Sequence, residues 1–340
     1  KITAEGEVLD VSGQLATDFT GIVNPTVKDS KMTVTCLKNN NQDDSPAFTF
    51  TDYPKTIFIG NDSVRNGKFS FTFTVPKDIS YSNLQGKMNL YAVDTESGNE
   101  AQGNFDNFIV GGTSDTAETD TIGPEIRALY LNDTTFVDGG QVNTTPYFVA
   151  ELWDKSGVNI TGSSVGHDMM LVIDESTVLS YNLNSYYERL LGEDGTGIVK
   201  FPIPALEPGK HTAEFWVWDI LNNSTVRTFT FEVVEGLKPF LFDVIATPGI
   251  AREQVTFHLM HNRPESRMRV GIMVYDLAGR QLWKHEESGT SGLFENYTVS
   301  WDLTSGGARM RPGVYIYRAA ISTDNSKDAT KARKFIILGE

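Results

Sequence analysis

Gly162-Ser163-Ser164-Val165-Gly166, followed at once by His167-Asp168, fits the G-x-S-x-G spacing with which many hydrolases present a serine for acyl transfer. That chemistry needs a strand before the serine and a helix after it, so that the hydroxyl projects and helix-end N–H groups stabilise the oxyanion. Met169-Met170-Leu171-Val172-Ile173 reads as a strand instead, so a Gly/Ser loop is expected and Ser164 is not expected to react. Cys36 is the one cysteine, which excludes an intrachain disulfide and a thiolate metal cluster. In Met32-Thr33-Val34-Thr35-Cys36 residues 32, 34 and 36 share a face. That pattern predicts a small buried hydrophobe, because a reactive thiol needs an exposed, electropositive setting.

His167, His211, His258, His261 and His285 show no HExxH or other zinc spacing. Oxygen ligands for calcium are offered by Asp43-Asp44, by Asp133 and Asp138, and by Glu193-Asp194, but no EF-hand pattern frames them and turn chemistry explains them equally well. No cofactor is therefore expected, calcium being the one alternative, and no metal ligands are assigned. Trp216 and Trp218 project from one strand face and could form a glycan platform. Aromatics more often fill sandwich cores, so packing is expected for these two and for Trp153, Trp283 and Trp301. No complete catalytic centre emerges, and the chain is expected not to be an enzyme by itself.

Apolar side chains alternate with polar ones throughout, as in Phe69, Phe71, Phe73 and Val75 against Ser70, Thr72 and Thr74. Asn66-Gly67, Asp138-Gly139-Gly140, Pro208-Gly209, Ala278-Gly279 and Pro312-Gly313 punctuate these runs as turns. Only residues 184–191 read as briefly helical. Short strands without long helices between them predict an all-β chain of three consecutive Ig-like antiparallel β-sandwich domains, and exclude βαβ folds. Their expected bounds are 1–111, 124–236 and 237–340, with 112–123 as a polar linker too poor in apolar residues to bury itself.

Val8-Leu9-Asp10-Val11 reads as the first strand, and the absence of a signal peptide before it suggests a longer precursor. No run approaches the roughly 20 apolar residues of a membrane helix. The net charge is −15, divided unevenly: residues 1–236 hold 15 Lys+Arg against 33 Asp+Glu, and residues 237–340 hold 14 against 11. A chain this acidic repels phosphate backbones, so nucleic acid is not expected as a partner. The near-neutral last domain suits docking onto another protein.

Residues 240–340 resemble the C-terminal domain that addresses cargo to the type IX (Por) secretion system. The matching words are Thr247-Pro248 with Ala251-Arg252-Glu253, the run 270–280 reading VGIMVYDLAGR, Val299-Ser300-Trp301-Asp302, the run 311–318 reading RPGVYIYR, and residues 334–338. Thr247-Pro248-Gly249 stands where that family has Pro-Asn-Pro. Residues 1–236 resemble the segment after the peptidase domain of the PorU-like, gingipain-like sortases of the same system. They do so through residues 63–69, Val75-Pro76-Lys77-Asp78-Ile79, Asp154-Lys155-Ser156-Gly157-Val158-Asn159, Gly166-His167-Asp168, and Trp218-Asp219 with Asn222-Asn223-Ser224.

The resemblance implies a cell-surface, outer-membrane-associated cysteine peptidase and transpeptidase that removes the sorting domain from secreted cargo and joins the cargo to anionic lipopolysaccharide. Its Cys/His dyad maps onto no position here, so the implied role of this chain is the non-catalytic C-terminal region. The implied partners are the upstream peptidase domain of the same polypeptide, a PorV-like outer-membrane barrel protein, and cargo bearing sorting domains. Strand edges near Arg311 and Arg318 are the expected place of docking. The alternative is a secreted adhesin or glycan-binding protein that carries the same sorting domain.

Overall fold

The alternation in the sequence is realised as strands, and the single helical element among the described residues is a 3-10 turn at Asn184–Tyr186. The computed structural model describes residues 1–37, 46–114, 120–160, 166–190, 195–323 and 325–339. Among them no helix is long and apolar enough to cross a membrane. The chain divides into two compact units, Lys1–Leu129 with Ala150–Lys200 and Thr212–Thr228, and Tyr130–Val149 with Phe201–His211 and Phe229–Glu340.

The first eleven strands are β1 (Ile2–Glu7), β2 (Gly21–Lys28), β3 (Met32–Thr35), β4 (Thr49–Asp52), β5 (Thr56–Ile59), β6 (Asp62–Arg65), β7 (Lys68–Phe73), β8 (Leu84–Gln85), β9 (Lys87–Asp94), β10 (Glu100–Phe105) and β11 (Ile109–Val110). Seven of them make one sheet in the order β1-β7-β6-β2-β9-β10, with β5 also paired to β2, while β3-β4 and β8-β11 are separate ribbons. The first strand thus precedes the expected one at residues 8–11. Asp10 turns the chain there by accepting the Ser12 and Gln14 backbone N–H groups at 2.8 and 2.9 Å. Asn66-Gly67 closes the β6-β7 hairpin with φ of 51° and 73°, the left-handed pair that a two-residue type I′ turn demands. Phe71 and Phe73 stack on Phe58 at 5.9 and 5.0 Å over a core that includes Val27, Ile57 and Met88.

Next come β12 (Glu125–Leu131), β13 (Gly140–Val142), β14 (Tyr147–Trp153), β15 (Met170–Ile173), β16 (Ser180–Asn182), β17 (Tyr187–Arg189), β18 (Thr196–Pro202), β19 (Gly209–Trp218) and β20 (Ser224–Val233). They form two sheets, β12-β14-β18-β17 and β13-β20-β19-β15-β16. The segment read as briefly helical is therefore the 3-10 turn running into β17.

The last strands are β21 (Leu241–Thr247), β22 (Ile250–Ala251), β23 (Val255–His261), β24 (Met268–Tyr275), β25 (Gln281–Gly289), β26 (Tyr297–Trp301), β27 (Thr304–Ser305), β28 (Ala308–Arg309), β29 (Gly313–Ser322) and β30 (Ala329–Ile337). The ribbon β27-β28 stands apart, and the other eight form the sheets β21-β23-β26 and β22-β30-β29-β24-β25. This order repeats that of the preceding set with its β17 equivalent missing. In both, a short strand pairs in parallel with the last one, β13 with β20 and β22 with β30. With that short strand and β17 left out of the count, first, second and fifth strands lie in one sheet and third, sixth and seventh in the other, which is the Ig-like arrangement. Inward residues of both sheets, among them Val244, Phe257, Val299, Ile272, Tyr317 and Phe335, share one core.

Candidate functional site

Trp153-Asp154 and Trp218-Asp219 each end a strand, β14 and β19, with an aspartate that closes the following turn. Asp154 Oδ1 accepts the Ser156 and Gly157 N–H groups at 2.7 and 2.9 Å. Asp219 Oδ1 accepts those of Leu221 and Asn223 at 2.9 and 2.7 Å, and its Oδ2 accepts Asn223 Nδ2 at 2.7 Å. Asp120 joins them by accepting the Ile122 N–H at 3.0 Å and the Ser156 hydroxyl at 2.9 Å. One oxygen from each of the three carboxylates lies within 4.8 Å of the others.

Asp154 and Asp219 are buried, at 4% and 0% exposure. Loss of hydration, reinforced by repulsion from the neighbouring carboxylates, pushes Asp154 up to about 6 and raises Asp219 as well. The Ile122 N–H and the Ser156 hydroxyl hold Asp120 below the ordinary carboxylate range. Hard oxygen donors gathered in this way suit a divalent cation such as calcium, with carbonyls or water needed to complete six to eight ligands. Sequence reasoning missed the trio: the Trp-Asp pair that ends β14 and β19 also ends β26, where Asp302 only closes a turn with Thr304, so the pair alone does not mark it.

The acidic pairs expected to offer calcium ligands behave otherwise. Asp133 closes a turn by accepting both the N–H and the hydroxyl of Thr135, and Asp138 ties its loop to β20 by accepting both of those of Thr230. Asp43-Asp44 and Glu193-Asp194 lie outside the described residues, as do Ser163 and Ser164.

His167 stands 3.0 Å from Asp78 through Nδ1, and its ring lies 4.4 Å from that of Trp218. Asn222 donates to the other oxygen of Asp78 at 3.1 Å, and Asp168 accepts the Asn184 side chain at 2.7 Å. The contact nearest to hydrolase geometry is His261 Nε2 to Ser291 Oγ at 2.9 Å. Nδ1 of the same ring accepts the Arg263 N–H at 3.0 Å, so the proton sits on Nε2 and is donated toward Ser291 rather than taken from it. Burial, then the Arg263 charge, lowers His261 to about 4 and keeps it neutral. His211 contacts the Glu207 carbonyl and His285 the Glu287 carboxylate, while His258 is half-buried on β23.

Cys36 is exposed at the end of the β3-β4 ribbon, not buried as expected, because the face it shares with Met32 and Val34 belongs to a separate two-stranded ribbon. The tryptophans divide. Trp301 is buried, and Trp283 stacks on it at 4.4 Å. Trp216 and Trp218 instead lie half-buried on the face of β19 opposite Phe215 and Val217, and Trp153 is half-buried beneath Arg127. Packing in the core therefore describes two of the five.

The expectation of an open strand edge near Arg311 and Arg318 is also corrected: β29 is paired on both sides, by β24 and β30. What it leaves open is its outward face. Ile250, Ile336 and Val314 stand side by side across β22, β30 and β29, at 54%, 36% and 41% exposure. Exposed Lys334 and Arg318 follow on the same face.

Neither a family model nor a curated protein sequence matches this chain. Among solved structures, dimeric latent PorU from Porphyromonas gingivalis is 37% identical over 99% of this chain, with a TM-score of 0.40. The chain spans about a third of its length, 31%. The N-terminal Ig1-2 module of the Drosophila receptor protein tyrosine phosphatase DLAR is 10% identical, covering 64% of this chain and 98% of its own, with a TM-score of 0.25. The FN1-FN3 domains of chicken CNTN1 are 8% identical, covering 98% and 96%, with a TM-score of 0.21.

Proposed function

We propose, on the premise that the chain is a PorU-like region, that it is the non-catalytic C-terminal part of a gingipain-like cysteine peptidase and sortase of the type IX secretion system. The premise rests on 37% identity over 99% of the chain and on the ordered motifs of residues 240–340. Two sandwiches, at 1–111 and 124–236 around the linker 112–123, support the upstream peptidase domain of the same polypeptide. The third, 237–340, docks to a PorV-like barrel on the extracellular side of the outer membrane and brings the enzyme to cargo bearing sorting domains.

The observation that carries the docking role is the row Ile250, Ile336 and Val314. Three branched aliphatic side chains in register across three strands, exposed on the outer face of a sheet, form a patch that a protein partner can bury. Exposed Lys334 and Arg318 beside it would meet acidic groups on that partner.

The test is capture of a purified PorV-like barrel in detergent by the immobilised intact chain. Ile250→Asp with Ile336→Asp is expected to weaken capture by at least about tenfold, because desolvated side chains at the centre of an interface dominate its affinity. The two introduced carboxylates face each other across β22 and β30. Ile250→Thr with Ile336→Thr, which keeps the strand preference, is therefore the control that should weaken capture while the melting temperature hardly changes. Undiminished capture by either double variant would remove the patch from the account.

A further inference from the structure

The outward face of β2, β9 and β10 carries two rows of neutral polar side chains. Asn24, Tyr91 and Gln102 stand abreast in one, and Thr26, Asn89 and Asn104 in the next. They line an open groove of about 390 Å³, a size in the range of small-ligand sites. Asparagine is depleted in strands, where its side chain competes for backbone partners, yet three stand on this one face, Asn89 directly opposite Asn104. Such a violation of local preference, repeated on one face, marks a site kept for something other than folding.

The chemistry of the face selects its ligand. No charged side chain lies within the two rows, although the chain carries a net charge of −15. Lys28 and Lys87 face each other in the row beyond Thr26 and Asn89 and stand outside the groove's lining, Lys28 donating to Thr56 at 2.8 Å, and Glu100 is engaged by the Tyr91 hydroxyl. Neither an anion nor a cation therefore finds its complement. Carboxamides offer a donor and an acceptor side by side, which match neighbouring hydroxyl groups. Tyr91 adds an aromatic body with one polar end, suited to a ligand that is apolar on one side and wet on the other. We infer that this face binds a neutral polysaccharide, laid across β2, β9 and β10 against Tyr91 and the four carboxamides. The site is separate from Trp216 and Trp218, and the inference does not rest on the docking role proposed above.

The test is electrophoresis of the intact chain in native gels cast with dextran, yeast mannan or xyloglucan. Retardation is expected in at least one gel. Tyr91→Ala, and Asn89→Thr with Gln102→Thr, should each abolish it, whereas Trp216→Ala with Trp218→Ala should leave it in place. Threonine favours strands over both residues it replaces, so the melting temperature of the threonine variant should hold or rise while binding is lost. That separates loss of ligand from loss of fold. Migration unaffected by all three polysaccharides, or retardation that survives both platform variants, would overturn the inference.

Discussion

Phe257→Ala is expected to destabilise the last sandwich by about 3–5 kcal/mol, the range for removing a large aromatic from a closed core. Phe257 has no exposure, and its ring lies 4.9 Å from Tyr317, 6.1 Å from Phe335 and 6.5 Å from Trp283. All three neighbours belong to the sheet opposite Phe257's own strand β23, so the ring fills the space between the two sheets. Urea unfolding followed through Trp283 and Trp301, which belong to the same core, measures the loss directly. Phe240→Ala serves as the comparison: at 58% exposure it should fall within about 0.5 kcal/mol of the parent. A loss below about 1 kcal/mol at Phe257 would mean that the two sheets do not share one core.

The second large effect concerns the carboxylate trio, and its sign is opposite to that of most aspartates. Asp154 holds its proton more tightly folded, to about 6, than its ordinary 3.8. Its contribution is thus fully present below about pH 4 and is lost as pH rises through 6, a change on the order of 3 kcal/mol at 1.36 kcal/mol per unit. Asp219, raised for the same reason, acts in the same direction. Asp154→Asn keeps an oxygen for the Ser156 and Gly157 N–H groups and removes the charge. In EDTA at pH 7.5 the variant is expected to be more stable than the parent by roughly 1–3 kcal/mol. Its stability should also fall less between pH 4 and 7.5. Urea midpoints at the two pH values check this; a variant less stable than the parent at pH 7.5 would contradict it.

Strands and turns were legible because their causes are local. Asn66-Gly67 specifies its own hairpin, and the alternation of Phe69, Phe71 and Phe73 follows from the period of a pleated strand. Sheet order was not legible. Pairs such as β13-β20 and β22-β30 join residues far apart in the chain, and two sets of strands reach one topology without a sequence repeat. Period two also cannot say which face points inward. Trp216 and Trp218 share a face as expected, but it is the outer one, with Phe215 and Val217 taking the core. Cys36 failed for a related reason, since its ribbon pairs only with itself. At Arg311 and Arg318 the motif placed a strand correctly but not its neighbours, so an interior strand was read as an edge.

The carboxylate trio shows the same limit at a site. Each aspartate reads as an ordinary turn residue, and each does close a turn. Only the return of β14 and β19 to one end of the fold brings their oxygens within 4.8 Å of each other and of Asp120.

We propose that the chain supplies recognition and support to an upstream peptidase domain that does the bond-breaking chemistry. The most direct measurement is hydrolysis of fluorogenic peptides that span the junction ahead of a sorting domain, by the purified chain and by its Cys36→Ala and His261→Ala variants. The account predicts no turnover above buffer for any of the three. Turnover by the parent chain that disappears in either variant would contradict it.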